Sequence, residues 1–190
     1  MSTLAVNSIT SQTGSTITLA SGKKIIGTDG GSIAAPGNII QVVDTSWNTQ
    51  TVVTATSYTA ITGASLAITP KFSTSKILVL VNLSIRINDS NTSYVNGAFQ
   101  TLRESTNISG SVPTDNTGSF EVGQYVGSSS AIELNMRYSN NVVDSPSTTN
   151  ATTYSIKTKA YGSTGGAITV NCSNANGSGT SSLVLMEIAQ

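Results

Sequence analysis

The strongest pattern in the chain lies over residues 76–88. Ile77, Val79, Val81, Leu83, Ile85 and Ile87 alternate with Leu78, Leu80, Asn82, Ser84 and Arg86, a period of two that belongs to a β-strand. The first half is apolar on both faces and predicts a central strand covered on both sides; the second half becomes one-faced. Shorter runs predict strands over 38–46, which carries Ile39, Ile40, Val42 and Val43, over 51–56, and over 58–61 and 65–69 on either side of Gly63, with Pro70 as a stop. A strand over 94–104 is expected to pair with 76–88 across the polar loop 89–93. Further strands are predicted over 120–126 and 132–138, with Tyr125, Leu134 and Met136 as core residues, and over 153–161 and 167–172. The last, 182–188, carries Leu183, Val184, Leu185, Met186 and Ile188 and predicts a C-terminus sewn into the sheet. No stretch has helical periodicity. About eight to ten strands between polar turns make two packed antiparallel sheets, a jelly-roll-like β-sandwich, the economical architecture.

The N-terminal residues follow a different rule. Gly14, Gly22 and Gly30 stand eight apart, and so do Ile9, Ile17, Ile25 and Ile33. Each octad reads as a short strand with one anchoring Ile, followed by a Gly-bearing turn. A strip this thin in large apolar side chains cannot bury itself. It is either an intertwined oligomeric β-stem or a hairpin that pairs with the main domain. Ala34-Ala35-Pro36-Gly37 punctuates the chain and divides it into a stem, 1–37, and a β-sandwich head, 38–190.

Composition narrows the chemistry. Only 9% of the 190 residues are charged, with nine basic and nine acidic, against about 25% in ordinary domains. Ser, Thr, Asn and Gly together make up 91 residues, so the wet surface is hydroxyl and amide rather than ionic. Scattered basic residues do not suit nucleic acid or an anionic membrane surface. The absence of His removes the Ser-His-Asp triad, the Cys-His dyad and imidazole metal ligation. Cys172 is the one Cys; its alternation with Ile168 and Val170 predicts a core-facing thiol. The opening residues carry neither a basic nor an apolar leader region, which predicts no signal peptide. The apolar run 77–81 is too short to span a bilayer.

Candidate sites are few. The Gly-rich stretch 27–31 with Asp29 resumes a strand instead of opening a helix, so it reads as a turn rather than a phosphate cradle. Asp89 and Asn91 resemble the start of a Ca²⁺ loop, but Tyr94 and Gln100 stand where an EF-hand needs Gly and Glu. Glycosidase chemistry needs two carboxylates at a defined separation, and Glu104 and Glu121 are the pair that neighbouring strands would bring together. Aromatic residues in polar surroundings serve as sugar platforms. Trp47, Tyr94 and Tyr138 are the ligand-binding candidates, with edge-of-core packing as their alternative role. The polar loops expected to carry recognition are 88–94, 106–119, 139–152 and 173–181.

The opening Ser-Thr-Leu-Ala-Val-Asn-Ser-Ile and the stretch Ile17-Thr-Leu-Ala-Ser-Gly-Lys-Lys-Ile-Ile-Gly-Thr-Asp-Gly-Gly-Ser-Ile-Ala-Ala-Pro-Gly37 resemble the N-terminal segment of short tail-fibre-type virion proteins of marine and cyanobacterial phages. Ile68-Thr-Pro-Lys-Phe-Ser-Thr-Ser-Lys-Ile-Leu-Val and the closing Leu183-Val-Leu-Met-Glu-Ile are similar to the C-terminal domain of that group. The resemblance implies a virion structural protein, a homotrimer with an attachment stem and a distal β-sandwich head, made in the host cytoplasm and released by lysis. It supplies no catalytic residues. The expectation is a non-enzymatic fibre or adhesin, without cofactor or metal, that docks to another virion protein through 1–37 and touches host surface polysaccharide with head loops. A capsid-decorating head fibre and a glycan depolymerase with carboxylates assembled between subunits are the alternatives.

Overall fold

A computed structural model describes residues 21–22, 25–27, 33–89, 94–109, 120–125, 132–162, 166–174 and 177–190. Among them lie thirteen strands and no helix. In chain order they are β1 (Ile39–Trp47), β2 (Thr51–Val53), β3 (Thr59–Ile68), β4 (Lys76–Asp89), β5 (Tyr94–Arg103), β6 (Thr106–Asn107) and β7 (Phe120–Tyr125). There follow β8 (Ile132–Asp144), β9 (Thr152–Gly162), β10 (Ala167–Val170), β11 (Ser173–Asn174), β12 (Gly177–Ser178) and β13 (Ser181–Ile188).

The 76–88 pattern becomes the spine of the first sheet. One edge of β4 pairs with β8 from Ile77↔Asp144 to Asp89↔Ile132. Its other edge is shared end to end by β13, opposite residues 76–82, and β10, opposite residues 85–88. Beyond them lie β1 on β13 and β2 on β10. The second sheet runs β3-β9-β5, with β7 and β6 sharing the far edge of β5. All these pairings are antiparallel, and the two sheets pack face to face as a sandwich.

Parity decides the core. The odd residues of β4 and Leu183 and Leu185 of β13 are buried against Phe99, Tyr154, Ile156 and Ile68 from the second sheet. Phe99 of β5 stacks on Tyr138 of β8, with ring centroids 4.5 Å apart and planes 19° from parallel, a geometry worth about 0.5–1.5 kcal/mol beyond area burial. The layers approach closely at Gly97, where a Cβ would stand 2.8 Å from Cγ1 of Ile168; only glycine lets β5 and β10 approach so nearly.

Charged residues work between elements. Arg103 of β5 donates through Nη1 to both carboxylate oxygens of Asp144 on β8, at 2.8 and 3.0 Å, and the Tyr154 hydroxyl donates to Asp144 Oδ2 at 2.8 Å. This clasp ties the second sheet to the end of β8. Glu187 is fully buried and accepts from the backbone N–H groups of Lys71 and Phe72 at 2.7 and 3.2 Å and from Gln41 Nε2 at 2.5 Å. A buried carboxylate is tolerable when such donors replace water, and here it fixes the turn between β3 and β4 to β13.

Several expectations change. The strand over 94–104 does not pair with 76–88; β5 lies in the opposite sheet, so the connection after Asp89 crosses between layers. The runs 58–61 and 65–69 are one strand, β3, whose register jumps between Ala60 and Ser65 around Gly63 at φ 85°, a bulge that needs glycine. The strand over 132–138 runs on to Asp144 and absorbs the first residues of the expected 139–152 loop. Cys172 is half-buried rather than core-facing, because Asn171 at φ 55° breaks the alternation with Val170. Leu134 and Met136 are half-buried against the core, while the Tyr125 side chain lies outside the described residues. The outer residues of β4, Leu78 and Leu80, are half-buried with no covering layer among the described residues, against the expectation of a strand covered on both sides. The octad stem falls mostly outside the described residues; within them Ile25, Ile26 and Ile33 are 65%, 69% and 47% exposed.

Burial pushes the Tyr138 phenol up to about 12 from its ordinary value of 10, against the opposing effect of a hydrogen bond with Asn140. Burial, and then its hydrogen bond to Asp144, push Tyr154 up as well. Phenolate therefore favours the unfolded chain: these groups leave stability unchanged below about pH 10, and between about pH 10 and 12 each buried phenol removes about 1.4 kcal/mol per pH unit. Urea midpoints measured across that window should fall steeply, and Tyr138→Phe should lessen the slope; an unchanged slope in the variant would contradict this assignment.

Candidate functional site

The site begins where the strands of the first sheet are interrupted. β10 stops at Val170 and β13 resumes at Ser181 on the same edge of β4. On the next track β1 stops at Trp47, opposite Ser181, and β2 resumes at Thr51, opposite Val170. Asn171 fills the break. It is fully buried in the left-handed region, which Asn tolerates better than most residues. Its N–H donates to Ser84 O at 2.9 Å, and its Nδ2 donates to Trp47 O at 3.0 Å and Thr49 O at 3.3 Å. The Ser181 hydroxyl donates to Asn171 Oδ1 at 2.6 Å and accepts from the Ser84 N–H at 3.1 Å. The excursion between β10 and β13 carries the β11–β12 pair and returns over Gly179, whose missing side chain lets the backbone lie on Ser84.

This node holds the ends of an open notch of about 250 Å³ lined by Ser46, Trp47, Asn48 and Thr180. Arg137 of β8 donates through Nη1 to Thr180 O at 2.6 Å and so fixes one wall. Trp47 forms the floor. Only 8% of it is exposed, because the Gly63 bulge lies against the indole, with a hypothetical Cβ there 2.8 Å from Trp47 Cγ. The lining offers two hydroxyls and an amide, and none of the four lining residues is ionisable. Such a surface makes neutral hydrogen bonds of the kind a polyhydroxylated ligand offers.

Of the three aromatic candidates, Trp47 lies in the notch as its floor rather than as an exposed platform. Tyr138 is 2% exposed and stacked inside the sandwich, so it presents no face to a ligand. Its inward parity follows from β8 continuing through Ser139, Asn140 and Asn141, a polar stretch that reads as a loop in sequence. Tyr94 opens β5 opposite Tyr125, and its side chain lies outside the described residues. Glu104 and Glu121 do not form a pair within the chain. Glu104 occupies a left-handed turn position at φ 52° and accepts from the Thr153 N–H at 2.6 Å. Glu121 lies opposite Ala98, six residues away along β5 or about 20 Å. No group of three or more Cys, Asp or Glu able to hold a metal ion occurs among the described residues, and they contain no helix long and apolar enough to cross a membrane. The loop 173–181 is largely the β11–β12 excursion, while most of 88–94 and 106–119 falls outside the described residues.

Asn48 and Asn171 are the residues that sequence reasoning missed, whereas Thr180 lies within the loop 173–181 expected to carry recognition. The one signal for Asn171 was an amide in the middle of the alternating run 167–172. No protein-family model matches the chain, and no curated protein matches it.

Asn171→Ala strands the Trp47 carbonyl and the Ser181 hydroxyl, loses the bond to the exposed Thr49, and puts a less tolerant residue at positive φ. The expected loss is about 2–4 kcal/mol, read from urea unfolding, with Asn171→Gly intermediate because it repairs only the backbone. An Asn171→Ala chain as stable as the parent would contradict the role given to this node.

Proposed function

We propose that the chain is a non-enzymatic phage fibre or adhesin subunit, working as a homotrimer in the virion, with a jelly-roll-like head that binds host surface polysaccharide and a stem, 1–37, that docks to another virion protein. No cofactor or metal takes part. The observation that carries this reading is the placement of the two functional ends. The chain enters the sandwich beside its own C-terminus, where the Gly37 N–H donates to Ala189 O at 2.8 Å and the Ala189 N–H to Asn38 O at 2.9 Å. The uncharged notch lies at the other end of β1, nine residues away, or about 30 Å. Attachment at one end and recognition at the other is the arrangement an adhesin needs. The resemblance of 17–37 to tail-fibre segments agrees with it.

Recognition through hydroxyl and amide groups is nearly indifferent to salt, unlike recognition by charge. Light scattering on the full chain should give a mass near three times 19.5 kDa. Binding to host surface polysaccharide should persist from low to high salt, and Asn48→Ala with Thr180→Val should weaken it about tenfold or more. A monomer, binding that ignores these substitutions, or polysaccharide left shortened after incubation would each contradict the reading.

A further inference from the structure

The outer face of the first sheet carries a row of apolar side chains that crosses four strands. Pairing sets Val42 opposite Met186, Met186 opposite Leu78, and Leu78 opposite Val143. Residues directly opposite one another share a face, so the row is continuous. Its two ends are open to solvent, Val42 at 50% and Val143 at 59% exposed. On one side the row continues as Ile39 opposite Ile188, with Ile39 57% exposed; on the other it continues as Val184 opposite Leu80. Polar residues bound it: Asp44, Lys76 and Asn141, then the row Ser46, Ser182, Asn82 and Ser139. Strand spacing makes the apolar part about 300 Å², the size at which an exposed patch on a monomer is often functional.

We propose that this face is where the heads of identical chains pack against one another. Two observations select a second copy as the occupant. A stable two-body complex needs about 800 Å² from each partner, more than this patch supplies. The face therefore suits a partner already held close, for which a small contact suffices at high effective concentration. The chain supplies that tether itself. The exposed isoleucines of the N-terminal segment, Ile25, Ile26 and Ile33, precede Ile39 and Val42 at the edge of the patch in the chain order. Copies joined through that segment bring their patches together where the chain enters the sandwich. The perimeter carries one acid and one base, Asp44 and Lys76, so identical faces meet without net like charge. This inference rests on the self-association in the proposed function and names the surface that serves it in the head.

The test uses the full chain with Cys172→Ser as background. Val42→Cys and Val143→Cys are compared with Asn135→Cys, an exposed position on the same strand as Val143. Maleimide labelling is followed alongside the mass in solution. Expected is an oligomer in which Val42→Cys and Val143→Cys label about tenfold or more slower than Asn135→Cys, with protection lost on dilution as the mass falls to one chain. An oligomer that labels equally at all three positions overturns the face while leaving self-association intact. A monomer at all concentrations overturns both.

Discussion

The buried amide of Asn171 is the point on which the first sheet depends. Two of its four tracks are interrupted at the same level, between β10 and β13 and between β1 and β2. An interrupted ladder leaves carbonyls and amides without their ladder partners, and each buried one left unsatisfied costs about 1–3 kcal/mol. Asn171 answers with one side chain that reaches across to Trp47 O and Thr49 O while its backbone keeps its bond to Ser84. Ser181 closes the circuit by donating to Asn171 and accepting from Ser84. Because the node is a set of mutually satisfied polar groups, the strands on either side hold their register although the chain leaves the sheet between them. The notch takes its shape from the same bonds, since Trp47 at its floor and Thr49 beyond Asn48 are held by the Asn171 amide.

Few charges are needed in such a structure, and some of those present join its elements. Arg103, Asp144 and Tyr154 clasp the sheets, and Glu187 pins the turn at Lys71 and Phe72. The exterior of the described residues is mostly hydroxyl and amide, with a few scattered charges such as Asp44, Lys71, Lys76 and Glu133, and with the apolar row on the first sheet. The proposed neutral recognition at one end of the head and the proposed apolar contact near the chain entry would be two uses of one composition.

Elements whose faces are set by local parity were legible in the sequence. The alternation from Ile77 to Ile87 gave β4, and the closing Leu183, Leu185 and Ile188 gave β13, because one-sided burial imposes a period of two on the strand itself. Pairing partners were not legible: β5 joins β9 rather than β4 because that choice depends on contacts far apart in the chain. Parity also failed where polar residues continue a strand. Ser139, Asn140 and Asn141 read as a loop, which made the inward-facing Tyr138 look like a surface ring. Trp47 was recognised as an aromatic in polar surroundings, but the bulge at Gly63 that covers it comes from another strand. Asn171 was hidden for a related reason, since its value lies in carbonyls contributed by residues more than a hundred positions away.

The measurement that tests this account most directly is native-state hydrogen exchange on the full chain. It would follow the amides of Asn171 and Ser84 against those of Val79 and Val81 in the centre of β4. If Asn171 joins the interrupted tracks into one cooperative sheet, its amide and that of Ser84 exchange only through global unfolding, with the same denaturant dependence as Val79 and Val81. Exchange of the Asn171 and Ser84 amides through local opening, independent of denaturant while Val79 and Val81 stay protected, would contradict it.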